Sequence, residues 1–361
     1  MSNRRMVLLG SLSLLAACGA PRPERAGGIA GAPRPERAGG IAGATINGVT
    51  HAPDTLANLI AATPSGGTLV LPAGTWSGTA PIGTACTIKG AGMGQTIIDA
   101  TGVSLTRGKG IFVPMVAGVA FADMTLKGAA VSDLNGAGIR EDRPGLGWTA
   151  TNVEFTGNQD GTLTFASNIT LNTCSFHDNG AHDAHSHEMY FGGSPDTTVT
   201  LNNVTSACGR GSTHALKSRA GTTQVVGGSY TGNPEAEAGA VTGSVLNFPE
   251  CGVVTVIGAI LTVASKGSEP NFVFISYGTE SANNATTGNT VALANVHLVD
   301  RSGSGGLILN GSALPSARLV IGPGCVYDGA KPPQFQGWAS IRGSFTASRA
   351  AVLELPWVIG I

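Results

Sequence analysis

The chain has 361 residues with 21 Lys and Arg against 22 Asp and Glu, and only 12% of it is charged, about half the usual share for a globular domain. A near-neutral chain without a basic stripe lacks the electrostatic footprint of a nucleic-acid binder, so no nucleic-acid partner is expected. In so uncharged a body, each cation placed within a strand needs a reason.

Residues 1–17, "MSNRRMVLLGSLSLLAA", join a basic start at Arg4 and Arg5 to a short apolar core. That pattern is an export signal, too short to span a bilayer. The following "LAAC" resembles the bacterial lipobox, which implies acylation of Cys18. Gly19 after the cysteine implies sorting to the outer membrane of a Gram-negative envelope. The segment "GAPRPERAGGIA" then occurs twice in tandem, at 19–30 and 31–42. Rich in Pro, Gly and Arg, it cannot bury a core and is read as a flexible linker over 18–43. The five remaining cysteines, Cys86, Cys174, Cys208, Cys251 and Cys325, match no zinc spacing. An oxidising compartment permits one disulfide, but small buried packing residues are the better reading.

From residue 44 a theme recurs: a short β-branched strand, a polar turn, a second short strand, then Gly or Asn. "TNVEFTGN", "NTCSFHDN", "NNVTSACG" and "GGSYTGNP" begin at 151, 172, 202 and 227. Unequal spacings of two to three tens of residues indicate a solenoid whose coils bury a face only against their neighbours. One helical period stands out, "DTLANLIAA" at 54–62.

That helix, with "GGTLVLPAGTW" after it and "CTIKGAGMGQTIIDATG" at 86–102, resembles the cap and first coils of the pectate-lyase-like superfamily. The resemblance implies an all-β, right-handed parallel β-helix over 44–340 with a short capping helix. Residues 341–361 are left as a C-terminal cap or strand. It does not imply a reaction, because this fold carries lyases, hydrolases, epimerases and adhesins alike.

Strand alternation puts i and i+2 on one face. Aligning the rungs with Ile139, Leu163, Met189, Leu216, Leu246, Ile275 and Leu309 inward predicts an outward column of Arg140, Thr164, Tyr190, Lys217, Asn247, Ser276 and Asn310. The face carrying them is the candidate groove, and Lys217 and Arg219 face into it. "THALKSRAG" (213–221) is similar to the segment bearing the catalytic lysine of alginate and chondroitin lyases. The likeness lies in Lys217–Ser218. The acidic residue before the lysine is replaced by His214 and Ala215, and Arg219 shares the lysine's own strand.

These residues suit β-elimination on an acidic polysaccharide. Lys217 is the candidate base, with Arg219 and partial desolvation disfavouring its charged form. Arg219 or Arg140 would clamp the uronate carboxylate, Tyr190 would donate the proton, and His214 is a further catalytic candidate. Substrate contacts are expected from Arg140, His187, Glu188, Asn247, Ser276, Tyr277, Glu280 and Asn310. No motif names a cofactor; a divalent cation such as calcium would suit such a lyase but finds no matching ligand pattern here. The loop "FHDNGAHDAHSHEMYF" (176–191) holds four of the seven histidines, a weaker candidate for a metal-dependent enzyme. The main alternative is a non-catalytic lipoprotein that binds polysaccharide or serves as an adhesin; on either reading a monomer is expected.

Overall fold

The computed structural model describes residues 40–165, 167–181, 185–209, 211–232, 243–263, 273–285, 289–303, 305–311 and 314–348. The signal, Cys18 and nearly all of the tandem linker lie outside them. From Thr68 onward the named strands pair in parallel with the strands one coil away, so the described body is a parallel β-helix.

Most coils contribute three strands, and like strands stack into three ladders; Val119–Lys127 and Trp148–Thr156 each run unbroken through the first two. In one coil, Ile169–Asn172 lies in the first ladder, Ser175–His177 in the second and Met189–Phe191 in the third. The third ladder runs unbroken through ten strands, from Ala80–Ile82 to Gln334–Gln336. Neighbouring rungs in such a stack are about 4.8 Å apart.

The recurring Asn and Gly mark one corner. Between the first and second ladders the backbone enters the left-handed region at Asp123 (φ 55°), Asn152 (54°), Thr173 (49°), Asn203 (52°) and Asn295 (52°). Gly227 and Gly258, both at φ 67°, fill the same corner on the rungs between. Asn, Asp and Gly tolerate this conformation best, which is why they punctuate the repeat. The next residue turns inward: Met124, Val153, Cys174, Val204, Ala259, Val296 and Cys325 are all buried. Cys174 and Cys325 are therefore corner packing residues, and all five described cysteines are buried and free.

Inside, aromatic and aliphatic side chains stack along the axis. Phe155 and Phe176 lie face to face with ring centroids 4.4 Å apart. Cutting a fully buried leucine of this column, such as Leu216, to alanine would cost roughly 2–5 kcal/mol.

The N-terminal end is closed by helix α1, Leu56–Ala62, with Leu56, Leu59 and Ile60 buried. It starts two residues later than the periodicity predicts because Asp54 and Thr55 form its cap. The Thr55 hydroxyl accepts from Asn58 N (3.2 Å), and Asp54 Oδ1 accepts from Thr55 N and Asn58 Nδ2 (both 2.7 Å). Thr45–Ile46 adds antiparallel to Thr68–Val70 and to Val49–Thr50, which covers the edge of the first coil.

Candidate functional site

The third ladder carries the outward column, with two corrections. Arg140 pairs with Leu163, Leu163 with Tyr190, Tyr190 with Lys217, Lys217 with Asn247, Asn247 with Ser276, and Ser276 with Leu309. Leu163, not Thr164, thus stands outward. Thr162 and Thr164 are buried on either side of it, and His187 N donates to Asp160 Oδ1 at 2.8 Å, which anchors this strand one residue out of the expected phase. At the other end a register shift between Val273 and Ile275 sets Ile308, rather than Leu309, beside Ile275. Asn310 consequently turns inward, donating to Leu314 O (3.1 Å) and Gly337 O (2.7 Å).

At the middle rungs the column becomes a charged cluster. Leu216–Ser218 presents Lys217, and Arg219 follows it on the same face. The Lys217 ammonium lies 5.5 Å from the Tyr190 ring centroid and the Arg219 guanidinium 5.7 Å, within cation–π range. Arg219 Nε donates to Tyr190 Oη at 2.8 Å. Two glutamates arrive from the turns after the next two strands. Arg219 Nη1 donates to Glu250 Oε1 and Nη2 to Glu280 Oε2, while Lys217 Nζ donates to Glu280 Oε1 at 2.9 Å.

Loop hydrogen bonds hold these carboxylates over the strand. Gly278 N donates to Phe248 O (2.9 Å), Glu280 N to Pro249 O (3.0 Å) and Asn284 N to Glu250 O (3.0 Å). Asn284 Nδ2 donates to the Arg219 carbonyl. Burial works against the guanidinium charge, but Tyr190, Glu250 and Glu280 outweigh it and raise the pKa of Arg219. Burial also pushes the Glu280 carboxyl upward, and Lys217 and Arg219 outweigh that to hold it below the ordinary carboxylate range.

Behind this cluster the ladder is polar but uncharged. His187 and His214 stack with centroids 5.1 Å apart, and His187 also meets the Tyr190 ring edge-on at 5.5 Å. Burial pushes the His187 imidazole well below its usual pKa and that of His214 down to about 4. Both rings are neutral at neutral pH. His214 Nδ1 faces the Ser244 carbonyl at 2.9 Å, which fixes the ring at the start of the strand that carries Lys217. Ser244 Oγ lies 2.6 Å from Ser276 Oγ, which accepts from Asn247 Nδ2 at 2.9 Å. Asn247 Oδ1 is buried and without a partner.

Other predicted contacts fall elsewhere. Arg140 lies on the column but binds Asp142 through Nε at 2.7 Å. Tyr277 is fully buried and donates to Gly252 O at 2.7 Å. Glu188 is also fully buried, accepting from Asn179 Nδ2 and Gly209 N; burial raises its pKa well above the carboxylate range. Neither Tyr277 nor Glu188 lines the outer face. In the histidine loop, His182 lies outside the described residues, and His177 sits between Glu154 Oε1 (3.0 Å) and Asp178 Oδ2 (2.8 Å). Among the described residues no three His, Cys, Asp or Glu groups converge on a metal position.

Sequence reading missed the part played by Glu250 and Asn284. The signal was available in "NFPECG" and "ISYGTESANN" (275–284): each puts a glutamate in the turn directly after a third-ladder strand, on the side where Arg219 leaves its own. Comparison of the chain with known protein families, curated proteins and solved structures gives no match.

Chemically, the cluster offers two cations focused on one outward spot, and a phenol whose oxygen already accepts a hydrogen bond. That bond does not use the phenol's own O–H.

Proposed function

We propose that the protein is a carbohydrate-active β-helix of pectate-lyase-like type that cleaves an acidic polysaccharide by β-elimination on the outer face of its third ladder. The observation that carries this reading is the convergence of Lys217, Arg219 and Tyr190. β-Elimination needs the uronate carboxylate neutralised, the C5 proton removed and the leaving oxygen protonated. Arg219 supplies the first requirement, with the Lys217 ammonium helping to draw the carboxylate in, since charge-assisted contacts to a carboxylate are the strong ones. Tyr190 Oη, held by Arg219 Nε, supplies a proton to the leaving oxygen. Lys217, once released from Glu280 and relieved of its ammonium proton by solvent, is the candidate base for the C5 proton. Arg140 stands three rungs before Lys217 on the same column, about 14 Å away along the axis, which suits a more distant sugar unit better than the reacting one. The lipobox reading adds an address: tethering through Cys18 to the outer membrane, with the linker spacing the β-helix from the lipid.

A second reading is favoured by one observation: each charge in the central cluster already has an opposite partner. A protein that only binds or guides exopolysaccharide would need no free base. Incubating the purified chain with alginate, pectate and glucuronate-containing exopolysaccharides, and following the absorbance of the unsaturated product, separates the two. Turnover by the parent chain, lost in Tyr190→Phe and Lys217→Ala, is expected. Binding without product would assign the protein to the second reading, and neither binding nor product on any of these glycans would overturn both.

A further inference from the structure

We infer that Glu280 is an internal occupant of the carboxylate site, and that an acidic sugar unit binds by exchanging its own carboxylate for that of Glu280. This rests on the acidic-glycan reading above and adds how the site is kept closed and what opens it.

The two glutamates of the cluster are not equivalent. The Glu250 side chain is 15% exposed and the Glu280 side chain 44%. Glu250 is enclosed, with Asn284 bonded to its backbone and to the Arg219 carbonyl. Glu280 spans the outer side of the cluster, one carboxylate oxygen on Lys217 and the other on Arg219. These are the two cations that a uronate would need.

Leaving that position requires little. The Glu280 backbone is pinned by its N–H to Pro249 O at 3.0 Å and by Ser281 N to the same oxygen at 3.1 Å. Rotation of the side chain therefore suffices, without loop movement. Of the two glutamates Glu280 is the one open to solvent on its outer side, so a well-placed substrate carboxylate can compete with it for the same two cations. When Glu280 swings away, Glu250 and Tyr190 still hold the guanidinium through Nη1 and Nε. Arg219 Nη2 and Lys217 Nζ then remain oriented toward the vacated spot. Two cations and two carboxylates balance to zero; without Glu280 the cluster carries one net positive charge, which a single uronate restores to neutrality. A neutral sugar offers no such exchange, so Glu280 also acts as a specificity device.

The test is calorimetric binding of galacturonate, mannuronate and glucuronate oligomers, each beside its carboxyl-reduced counterpart, to the full chain, Glu280→Gln and Glu280→Asp. Glu280→Gln should tighten Kd for the cognate oligouronate about fivefold and leave the reduced oligomer unchanged. Glu280→Asp, too short to bridge both cations, should fall between. A folded Glu280→Gln with unchanged or weaker affinity, while the parent chain binds or cleaves an oligouronate, overturns the exchange and leaves the lyase reading standing. If Glu280→Gln loses its fold, Glu280→Asp decides by the same criterion. If no variant binds or cleaves any oligouronate, the acidic-glycan reading fails and the exchange fails with it.

Discussion

Two faces of the β-helix each hold a cation between two carboxylates, and they differ in what titrates. On the third ladder Arg219 sits between Glu250 and Glu280 with its side chain 18% exposed. On the second ladder His177 sits between Glu154 and Asp178 with its side chain 36% exposed, and Thr125 Oγ1 donates to Glu154 at 2.6 Å. A guanidinium stays charged throughout the working pH range, so the first cluster is a fixed feature of the surface. An imidazole keeps its charge only while its neighbours hold the proton. The ligand chemistry proposed above needs the permanent kind, and the chain places it where two strands and two loops converge.

The contrast is broken most severely at Arg219. Arg219→Ala leaves Glu250 without its cation and Glu280 with Lys217 alone, and removes the donor to Tyr190, so a loss of roughly 3 kcal/mol is expected, the lower end for breaking a buried pair. Chemical denaturation should show it as a lower midpoint with an unchanged slope. The alternation of the strand alone would rank this residue with exposed groups, whose truncation costs within about half a kcal/mol. A loss that small would mean the cluster contributes nothing to the fold. Arg219→Lys should not rescue, because an ammonium cannot reproduce the guanidinium's planar fork of donors.

Next in size is a histidine whose protonation is governed by burial. His214 has its pKa lowered by burial from 6.5 to about 4. The unfolded chain therefore binds more protons between those values, and stability that is complete above pH 6.5 is lost as pH falls toward 4. The loss is at most about 3 kcal/mol. Calorimetric Tm at pH 7.5 and 4.5 should show a steeper acid decline for the parent than for His214→Asn. Equal slopes would show that the stacked imidazoles are not what acid attacks.

A finer comparison lies inside the charged cluster. Glu250→Gln should cost about 1–2 kcal/mol, since its partner Arg219 is mostly enclosed, whereas Glu280→Gln should cost under about 1 kcal/mol. Equal losses in the same denaturation assay would erase the distinction between the anchoring and the exchangeable glutamate. The smallest effect is expected at His177. Burial pushes its pKa down, but Asp178 and Glu154 outweigh that and raise it above 6.5. The ion pairs are therefore complete below pH 6.5 and are lost as pH rises through the raised value. An NMR titration should place the His177 midpoint above 6.5 and bring it back toward that value in Glu154→Gln, with little change in Tm. A midpoint at or below 6.5 in the parent would remove His177 from the comparison.

Much of this was legible along the chain. The parallel β-helix, the capping segment and the inward placement of Ile139, Met189, Leu216, Leu246 and Ile275 follow from patterns of two, of three to four, and of whole coils. So does the shared face of Arg140, Tyr190, Lys217, Asn247 and Ser276, because a side chain's face within a strand is settled by its immediate neighbours; Asn247 and Ser276, expected to meet substrate, are nevertheless buried on it. Thr164 and Asn310 escaped that logic for two separate reasons. One strand is anchored by Asp160 receiving the backbone of His187, and the other stacks across a register shift. Neither a hydrogen bond between coils nor an irregularity in the adjoining rung leaves a mark in the local alternation.

The sequence by itself determined the architecture and put a lysine and an arginine on one outward face. Their surroundings were decided only by the tertiary structure. Glu250 and Glu280 stand 31 and 61 residues beyond Arg219 along the chain, yet both carboxylates reach its guanidinium. They do so because stacking turns sequence separation into a few rungs, and because each loop is hydrogen-bonded to the coil before it. Tyr277 shares the inward face of Ile275, which alternation alone gives, whereas Glu188 is buried by the turns that supply Asn179 and Gly209. Alternation is a property of one strand, whereas the charge balance of the site is a property of four successive coils.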